Sequence, residues 1–119
     1  MNKIVYILFL TFIAANDAPV WTDIPNQTIE EDCDLCAGFP IDLNTYVSDI
    51  DGDDIGVIAS EVNGAIFNID EDLFLHVVPN QDFNTEGSDP IILELTASDV
   101  EFDVSTTFNI TITAANDAP

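Results

Sequence analysis

Basic residues are nearly absent from this sequence. It contains one Lys or Arg residue against 23 Asp and Glu residues, and its formal net charge is −22. Nucleic-acid binding depends on basic side chains that displace counterions from phosphates. Docking on an anionic membrane surface likewise requires clustered Lys and Arg. We therefore expect neither a nucleic-acid partner nor an anionic membrane partner.

Apolar residues are not scarce, and this excludes the disorder that many acidic chains show. Hydrophobic residues make up 47% of the 119 residues. Chains stay disordered when low hydrophobicity accompanies high net charge, and only the second condition holds here. The length is sufficient for one domain with its own core.

The first fifteen residues differ from the rest. Lys3 is followed by the apolar run Ile4–Ala15, which ends in two small residues. A basic start, a short apolar run and a small-residue end are typical of a secretory signal peptide. The run is shorter than the roughly 20 residues of a membrane-spanning helix. A strand left from a preceding domain is the alternative, but the run lacks the alternation of a half-buried strand.

We therefore predict a signal peptide at residues 1–15 and a secreted or cell-surface domain at residues 16–119. Removal of the peptide takes Lys3 with it, so the mature chain has no Lys or Arg. Something outside the chain must then offset the repulsion among its carboxylates. Bound metal cations and a very salty medium are the two candidates.

The segment Asn16–Pro19 recurs as Asn116–Pro119, 100 residues later. Between the two copies the pattern is that of β-structure, with apolar and polar residues alternating through 104–113. Further strands are predicted at 20–24, 28–29, 39–43, 55–59, 65–69, 73–78 and 91–97. About seven short strands separated by turns indicate an all-β protein with an immunoglobulin-like antiparallel β-sandwich.

An acidic turn is the first candidate for a functional site. Asp49, Asp51 and Asp53 alternate along the chain around Gly52. Calcium takes six to eight oxygen ligands, mainly carboxylates and carbonyls, and such a turn can direct several oxygens to one point. The turn is not an EF-hand loop, because its sixth and twelfth positions lack the required Gly and Glu.

A wider set of motifs resembles a known family. The motifs are Asn16-Asp17-Ala18-Pro19, Glu30-Glu31-Asp32, Asp49-Ile50-Asp51-Gly52-Asp53, Asp82-Phe83-Asn84, Ala97-Ser98-Asp99 and Asn116-Asp117-Ala118-Pro119. In this order they resemble the cadherin-like tandem repeats of large secreted prokaryotic surface proteins. The resemblance covers residues 16–119 and implies a calcium-binding adhesion or spacer module.

The resemblance also implies where Ca²⁺ binds. Asp17, Asp49, Asp51 and Asp99 correspond to ligands at the N-terminal junction, where Asp53 of the same turn is a further candidate. Glu31, Asp82, Asn116 and Asp117 correspond to an incomplete site at the C-terminal junction, which awaits the next repeat. Two departures weaken that second site, because Asn84 and Ala114 replace acidic residues of the family pattern.

Other interpretations of the acidic residues remain open. Asp favours turns because its side chain bonds the nearby backbone, so each acidic turn taken alone has a purely structural explanation. Adaptation to a very salty medium is another interpretation of the acidic composition. Under that reading the chain is a stand-alone carbohydrate- or protein-binding module, and a concave aromatic patch is expected.

The two cysteines, Cys33 and Cys36, are predicted to form a disulfide because the chain is expected to be exported. Their acidic surroundings oppose a redox role. His76 is the sole histidine and is expected to be structural, since zinc would need further ligands. No enzyme signature is present. The predicted partners are neighbouring repeats, another surface protein or a glycan.

Overall fold

The computed structural model describes residues 16–115 as nine β-strands and one short 3₁₀ helix. The strands are β1 (Val20–Trp21), β2 (Gln27–Glu30), β3 (Ile41–Asp42), β4 (Val47–Ser48), β5 (Gly56–Ala59), β6 (Ala65–Ile69), β7 (Phe74–Pro79), β8 (Ile91–Ser98) and β9 (Asp103–Thr113). The 3₁₀ helix η1 spans Leu43–Thr45. The predicted signal peptide and the candidates Asn116 and Asp117 lie outside the described residues.

The strands form the two sheets of a sandwich and one small extra pair. The larger sheet has the order β2-β9-β8-β5, and the facing sheet has the order β3-β7-β6. Strand β2 runs parallel to β9, whereas the other pairs are antiparallel. The extra pair, β1 with β4, lies near η1. Within the described part of the chain, no helix is long and apolar enough to cross a membrane.

Alternation along β8 and β9 builds the core, as the sequence predicts. Leu93 and Leu95 on β8 are fully buried, and so are Ile110 and Ile112 on β9. They pack in one cluster with residues of the facing sheet, including Leu75. The residues between them point to solvent because successive side chains of a strand face opposite ways. The prediction of an all-β, immunoglobulin-like sandwich is confirmed.

The strand boundaries differ from the predicted ones at several turns. Strand β4 was not predicted, because two residues are too few to show a period. Strand β1 ends at Trp21, although the next residue, Thr22, still donates to the Tyr46 carbonyl at 2.7 Å. Strand β7 starts one residue late, because Leu73 has a φ of 65° and belongs to the preceding turn.

Two aromatic residues, Trp21 and Phe108, are buried to different extents. Phe108 is buried. Trp21 is half-buried and packs against the rim of the core. Its indole Nε1 donates to the Val104 carbonyl at 2.8 Å, which fastens β1 to β9. The buried indole edge thus has the partner that it requires.

The predicted disulfide between Cys33 and Cys36 is present. It closes a short loop between β2 and β3, and Cys36 is buried against the core. The loop it closes is small, so its stabilisation through chain entropy is modest, about 2 kcal/mol or less. Its local effect is to tighten the turn that follows Glu31.

We expect Leu93→Ala to lower the free energy of unfolding by about 2–5 kcal/mol, because it leaves a cavity in a close-packed core. Ile92→Ala is the matched control on the same strand. Ile92 is 62% exposed where Leu93 is fully buried, so its truncation should change stability by about 0.5 kcal/mol or less. Urea unfolding of both variants measures the difference. Equal losses would contradict the assignment of the core face.

Candidate metal centre

The loop after β4 is shaped by its own aspartates. Asp49 Oδ1 accepts a hydrogen bond from the Asp51 backbone N–H at 2.8 Å. The Gly52 N–H donates to the Asp49 carbonyl at 3.0 Å, and Gly52 has a φ of +73°. Asp begins such turns readily, and Gly supplies the positive φ without steric penalty. The turn occupies one oxygen of Asp49 and leaves the other available.

The β8–β9 hairpin repeats this arrangement. Asp99 Oδ1 accepts hydrogen bonds from the backbone N–H groups of Glu101 and Phe102, both at 2.7 Å. The Asp99 N–H donates to the Phe102 carbonyl at 3.1 Å, which closes the turn. One oxygen of Asp99 therefore holds the hairpin, and Oδ2 is directed elsewhere.

The two loops bring three carboxylates together. Asp49, Asp53 and Asp99 each offer an oxygen, and these oxygens lie within 4.8 Å of one another. Asp49 Oδ2 and Asp99 Oδ2 are buried atoms without a hydrogen-bond partner among residues 16–115. Burial of an unpaired charged oxygen is costly. A cation among the three carboxylates would satisfy both, so the site fits a metal that prefers oxygen ligands.

The pKa values of two carboxyl groups in the cluster are shifted in opposite directions. Desolvation raises the pKa of Asp53, and the negative charges of Asp49, Asp51 and Asp99 raise it further. The backbone N–H groups of Phe102 and Glu101 hold the pKa of Asp99 below its usual range. Asp99 is therefore secured as an anion, whereas Asp53 carries the repulsion of the cluster. A cation would relieve that repulsion.

The incoming chain lies directly on this cluster. The Asp17 backbone N–H donates to Asp51 Oδ2 at 2.6 Å. The Asn16 side-chain amide, with its nitrogen facing the loop, lies 3.1 Å from Asp51 Oδ2 and 2.8 Å from Asp53 Oδ2. Asp17 thus contributes its backbone, and its carboxylate is not one of the three that converge. Asp51 connects the cluster to the chain entering the domain.

Asn16 is the residue that sequence reasoning missed here. Its counterpart in the second copy of the motif, Asn116, was a candidate, and the recurrence of Asn-Asp-Ala-Pro offered the signal. Asn resembles Asp in size and differs in offering one donor group and one oxygen. That oxygen becomes a further potential ligand if the amide turns.

The C-terminal candidates form a different kind of site. Glu31 is buried, with 6% of its surface exposed. Its Oε2 accepts from Asn84 Nδ2 and its Oε1 accepts from the Ala115 N–H, both at 3.0 Å. Asp82 lies beside this group, where its backbone N–H donates to Asp32 Oδ1 at 2.9 Å. Both oxygens of Glu31 are satisfied by protein donors, whereas Asp49 and Asp99 each have one satisfied oxygen and one, Oδ2, without a donor in the described chain.

The two clusters lie at opposite ends of the sandwich. Asp99 sits in the hairpin where β9 begins, and Ala115 follows the end of β9. Strand β9 spans Asp103–Thr113, and a strand of that length covers about 35 Å. The separation places one cluster on the chain that enters the domain and the other on the chain that leaves it.

His76 lies apart from both clusters. Its Nε2 is 2.9 Å from Asp70 Oδ2, and both side chains are partly exposed. The hydrogen bond with His76 is the main cause that lowers the pKa of Asp70, and the Phe74 N–H also contributes. The contact supports the turn before β7, which agrees with a structural role for His76.

Solved structures of other proteins contain domains of similar fold. A part of an endo-fucoidan hydrolase of glycoside hydrolase family 107 aligns with 85% of this chain at a TM-score of 0.62 and 16% identity. Human protocadherin-24 EC1-2 aligns with 86% of it at a TM-score of 0.61 and 16% identity. A second crystal form of that protocadherin gives a TM-score of 0.57.

These likenesses cover only part of each matched protein. The aligned region is 14% of the hydrolase and 46% of the protocadherin fragment. Neither a protein-family model nor a curated protein sequence matches the chain. At such low identity the comparison shows the fold alone, which is a cadherin-like, immunoglobulin-like β-sandwich.

We expect Asp53→Asn to raise the melting temperature in chelator at pH 7. The native pKa of Asp53 lies above its ordinary value, so its ionisation disfavours the folded state, and the penalty is complete once the pH exceeds the native pKa. The gain should shrink as the pH falls through the native pKa and vanish only well below about pH 3.9, the ordinary Asp value, where the carboxyl is protonated in both states. Thermal melting across pH measures it.

Asp99→Asn is the control, for which we expect a change in melting temperature of the opposite sign. The depressed native pKa of Asp99 means that its ionised form stabilises the fold above the unfolded pKa, and that this contribution is lost as pH falls through the native pKa. This variant should melt lower than wild type at pH 7. A gain in both variants would indicate relief of overall charge and not a specific crowded cluster.

Proposed function

We propose that this protein is an exported, calcium-binding, cadherin-like module that acts as an adhesion or spacer unit and has no catalytic activity. One observation carries the proposal. Asp49, Asp53 and Asp99 converge within 4.8 Å, and two of their oxygens are buried without a partner in the described chain. Burying such charged oxygens costs free energy unless they coordinate a cation.

The donor chemistry favours calcium over other metals. The cluster offers carboxylate oxygens, with Asp51 and the Asn16 amide nearby. Calcium accepts six to eight oxygens in a flexible geometry, whereas magnesium demands a tight octahedron and retains several waters. Zinc prefers nitrogen and sulfur ligands, and Cys33 and Cys36 are consumed in a disulfide.

The position of the cluster suggests what the ion does mechanically. Asn16 and Asp17 lie against Asp51, so an ion held by the neighbouring carboxylates would fix the entering chain relative to the domain. At the other end, the buried Glu31 accepts a hydrogen bond from the Ala115 N–H of the chain that leaves the domain. Entry and exit at opposite ends suit a unit repeated in series, and the recurring Asn-Asp-Ala-Pro segment supports this arrangement.

Export and partners complete the proposal. The disulfide and the likeness to extracellular-type cadherin domains support a secreted or cell-surface location. The signal peptide at residues 1–15 remains a prediction from sequence. We propose neighbouring repeats, another surface protein or a glycan as partners, with no nucleic acid and no anionic membrane surface.

The likeness to a glycoside hydrolase covers 14% of that enzyme, so it carries no catalytic activity over to this chain. The three convergent carboxylates, Asp49, Asp53 and Asp99, lie in two loops and face one another. The alternative of a stand-alone carbohydrate- or protein-binding module, acidic through salt adaptation, differs in one measurable way: sodium should then replace calcium.

We expect calcium to raise the melting temperature of the protein well above its value in chelator. Binding to the native state alone stabilises by about 2.7 kcal/mol at a hundredfold excess over Kd, or roughly 10 °C for a domain of this size. The measurement is thermal melting in millimolar calcium, in chelator, and in sodium chloride of matched ionic strength. If sodium stabilises as strongly as calcium, charge screening explains the effect and the proposed site is wrong.

We further expect Asp51→Asn to weaken this calcium stabilisation more than Asp82→Asn does. Asp51 joins the entering chain to the cluster with unpaired oxygens, whereas Asp82 lies beside Glu31, whose oxygens are already bonded. Calorimetric calcium titration of both variants measures the two affinities. Equal losses, or a larger loss from Asp82→Asn, would place the ion at the C-terminal end.

A further inference from the structure

One side of the sandwich is open, between the edges of its two sheets. Strand β5 ends the larger sheet and β6 ends the smaller one, and within residues 16–115 no strand pairs with the outer edge of either. A groove runs between them, and half-buried apolar residues line it, notably Val57, Ala59 and Phe67. These side chains belong to the rim of the core. The core therefore reaches the surface here.

Both edges present free backbone groups to the groove. The Ser60 N–H donates to the Glu94 carbonyl at 2.9 Å, so Ser60 faces β8. Backbone groups point to alternate sides along a strand, so those of Val57 and Ala59 face away from β8. By the same reasoning, the bond from the Asn80 N–H to the Gly64 carbonyl turns the groups of Ala65 and Phe67 away from β7.

These edges lack the protection that natural edge strands usually carry. Charged residues and prolines normally discourage pairing with another strand. The strands Gly56–Ala59 and Ala65–Ile69 contain neither, although 23 of the 119 residues of the chain are acidic. On their outer faces Ile58 is 69% exposed and Ile66 is 65% exposed. An uncharged, apolar edge of this kind is a template for strand addition.

The charges around the groove indicate which strand would bind. Glu61 lines one end of the groove. At the other end Asp54 precedes β5, and Asp70, which is bonded to His76, follows β6. A second copy of this chain would bring a like charge of −22. A segment with basic residues at its ends would meet acidic residues at both ends and apolar side chains between them.

We propose that the β5–β6 groove binds an extended segment of another protein, with alternating apolar residues and basic flanks, which adds to the edge of β5 as a further strand. Main-chain hydrogen bonds to Val57 and Ala59 would provide the pairing, and contacts with Phe67 would select apolar side chains. None of the residues that line the groove belongs to the carboxylate trio, so the strand pairing itself uses no calcium ligand.

The probe is a synthetic peptide of alternating Val and Thr with two Lys at each end, measured by fluorescence anisotropy against the full chain. One control peptide has Glu in place of Lys, and another keeps the Lys but has a central Pro. We expect both controls to bind at least tenfold more weakly. If the Pro peptide binds as tightly as the probe peptide, nonspecific charge attraction explains the binding and the proposal is wrong.

Ala59→Pro tests the location. Its N–H faces the groove, so proline removes a donor for the added strand and leaves the ladder with β8 intact. Thr28→Pro is the matched control on β2, the opposite edge of the same sheet. The Glu31 N–H donates to the Thr113 carbonyl at 2.8 Å, so alternation turns the Thr28 N–H away from β9. We expect at least tenfold weaker binding for Ala59→Pro and unchanged binding for Thr28→Pro.

Two further measurements keep the test decisive if a variant folds poorly. Amide chemical shifts of the wild-type protein should change at Val57, Ala59 and Phe67 on addition of the peptide, and not along β2. Sedimentation without peptide should show a monomer. Shift changes confined to other surfaces, or a dimer that Ala59→Pro dissolves, would overturn the proposal, the latter in favour of a second copy as the occupant.

Discussion

Repulsion between carboxylates at one end of the sandwich is the constraint around which this structure is arranged. Asp49, Asp53 and Asp99 are held close because each of their loops is closed by an aspartate that bonds its own backbone. The turns that position the carboxylates are local and cannot relax without breaking those bonds. With no Lys or Arg in residues 16–115, the natural counter-charge for this end is an external cation.

At the opposite end of the sandwich, protein hydrogen-bond donors satisfy the buried carboxylate. Glu31 is buried, yet both of its oxygens accept hydrogen bonds, one from the Asn84 amide and one from the Ala115 backbone. Asn84 stands where the cadherin-like pattern has an acidic residue, and that exchange converts a potential ligand into a donor. The two ends of one domain thus differ: protein donors satisfy both oxygens of Glu31, whereas Asp49 Oδ2 and Asp99 Oδ2 have no hydrogen-bond partner in the described chain.

One long strand, β9, connects the two ends of the sandwich. Strand β9 pairs with both β8 and β2 and runs the length of the larger sheet, from the hairpin at Asp99 to the leaving chain. This strand connects the end that carries the carboxylate cluster to the end where Glu31 bonds the backbone of Ala115. The sides of the sandwich remain free for other contacts, and the open β5–β6 side is the apolar one.

The sequence by itself determined the class of fold, the core face of β8 and β9 and the disulfide, and turn chemistry singled out the acidic turn at Asp49–Asp53. Asp17 and Asp99 became candidates only through the resemblance to cadherin-like repeats. Tertiary structure decided the rest. It selected Asp53 to complete the trio with Asp49 and Asp99, used the backbone of Asp17 where its carboxylate was expected, and added Asn16. Asp49 and Asp99 are 50 residues apart in the chain, and which of their oxygens meet depends on how two separate turns pack at the end of one sheet. No periodicity within either segment encodes that distance.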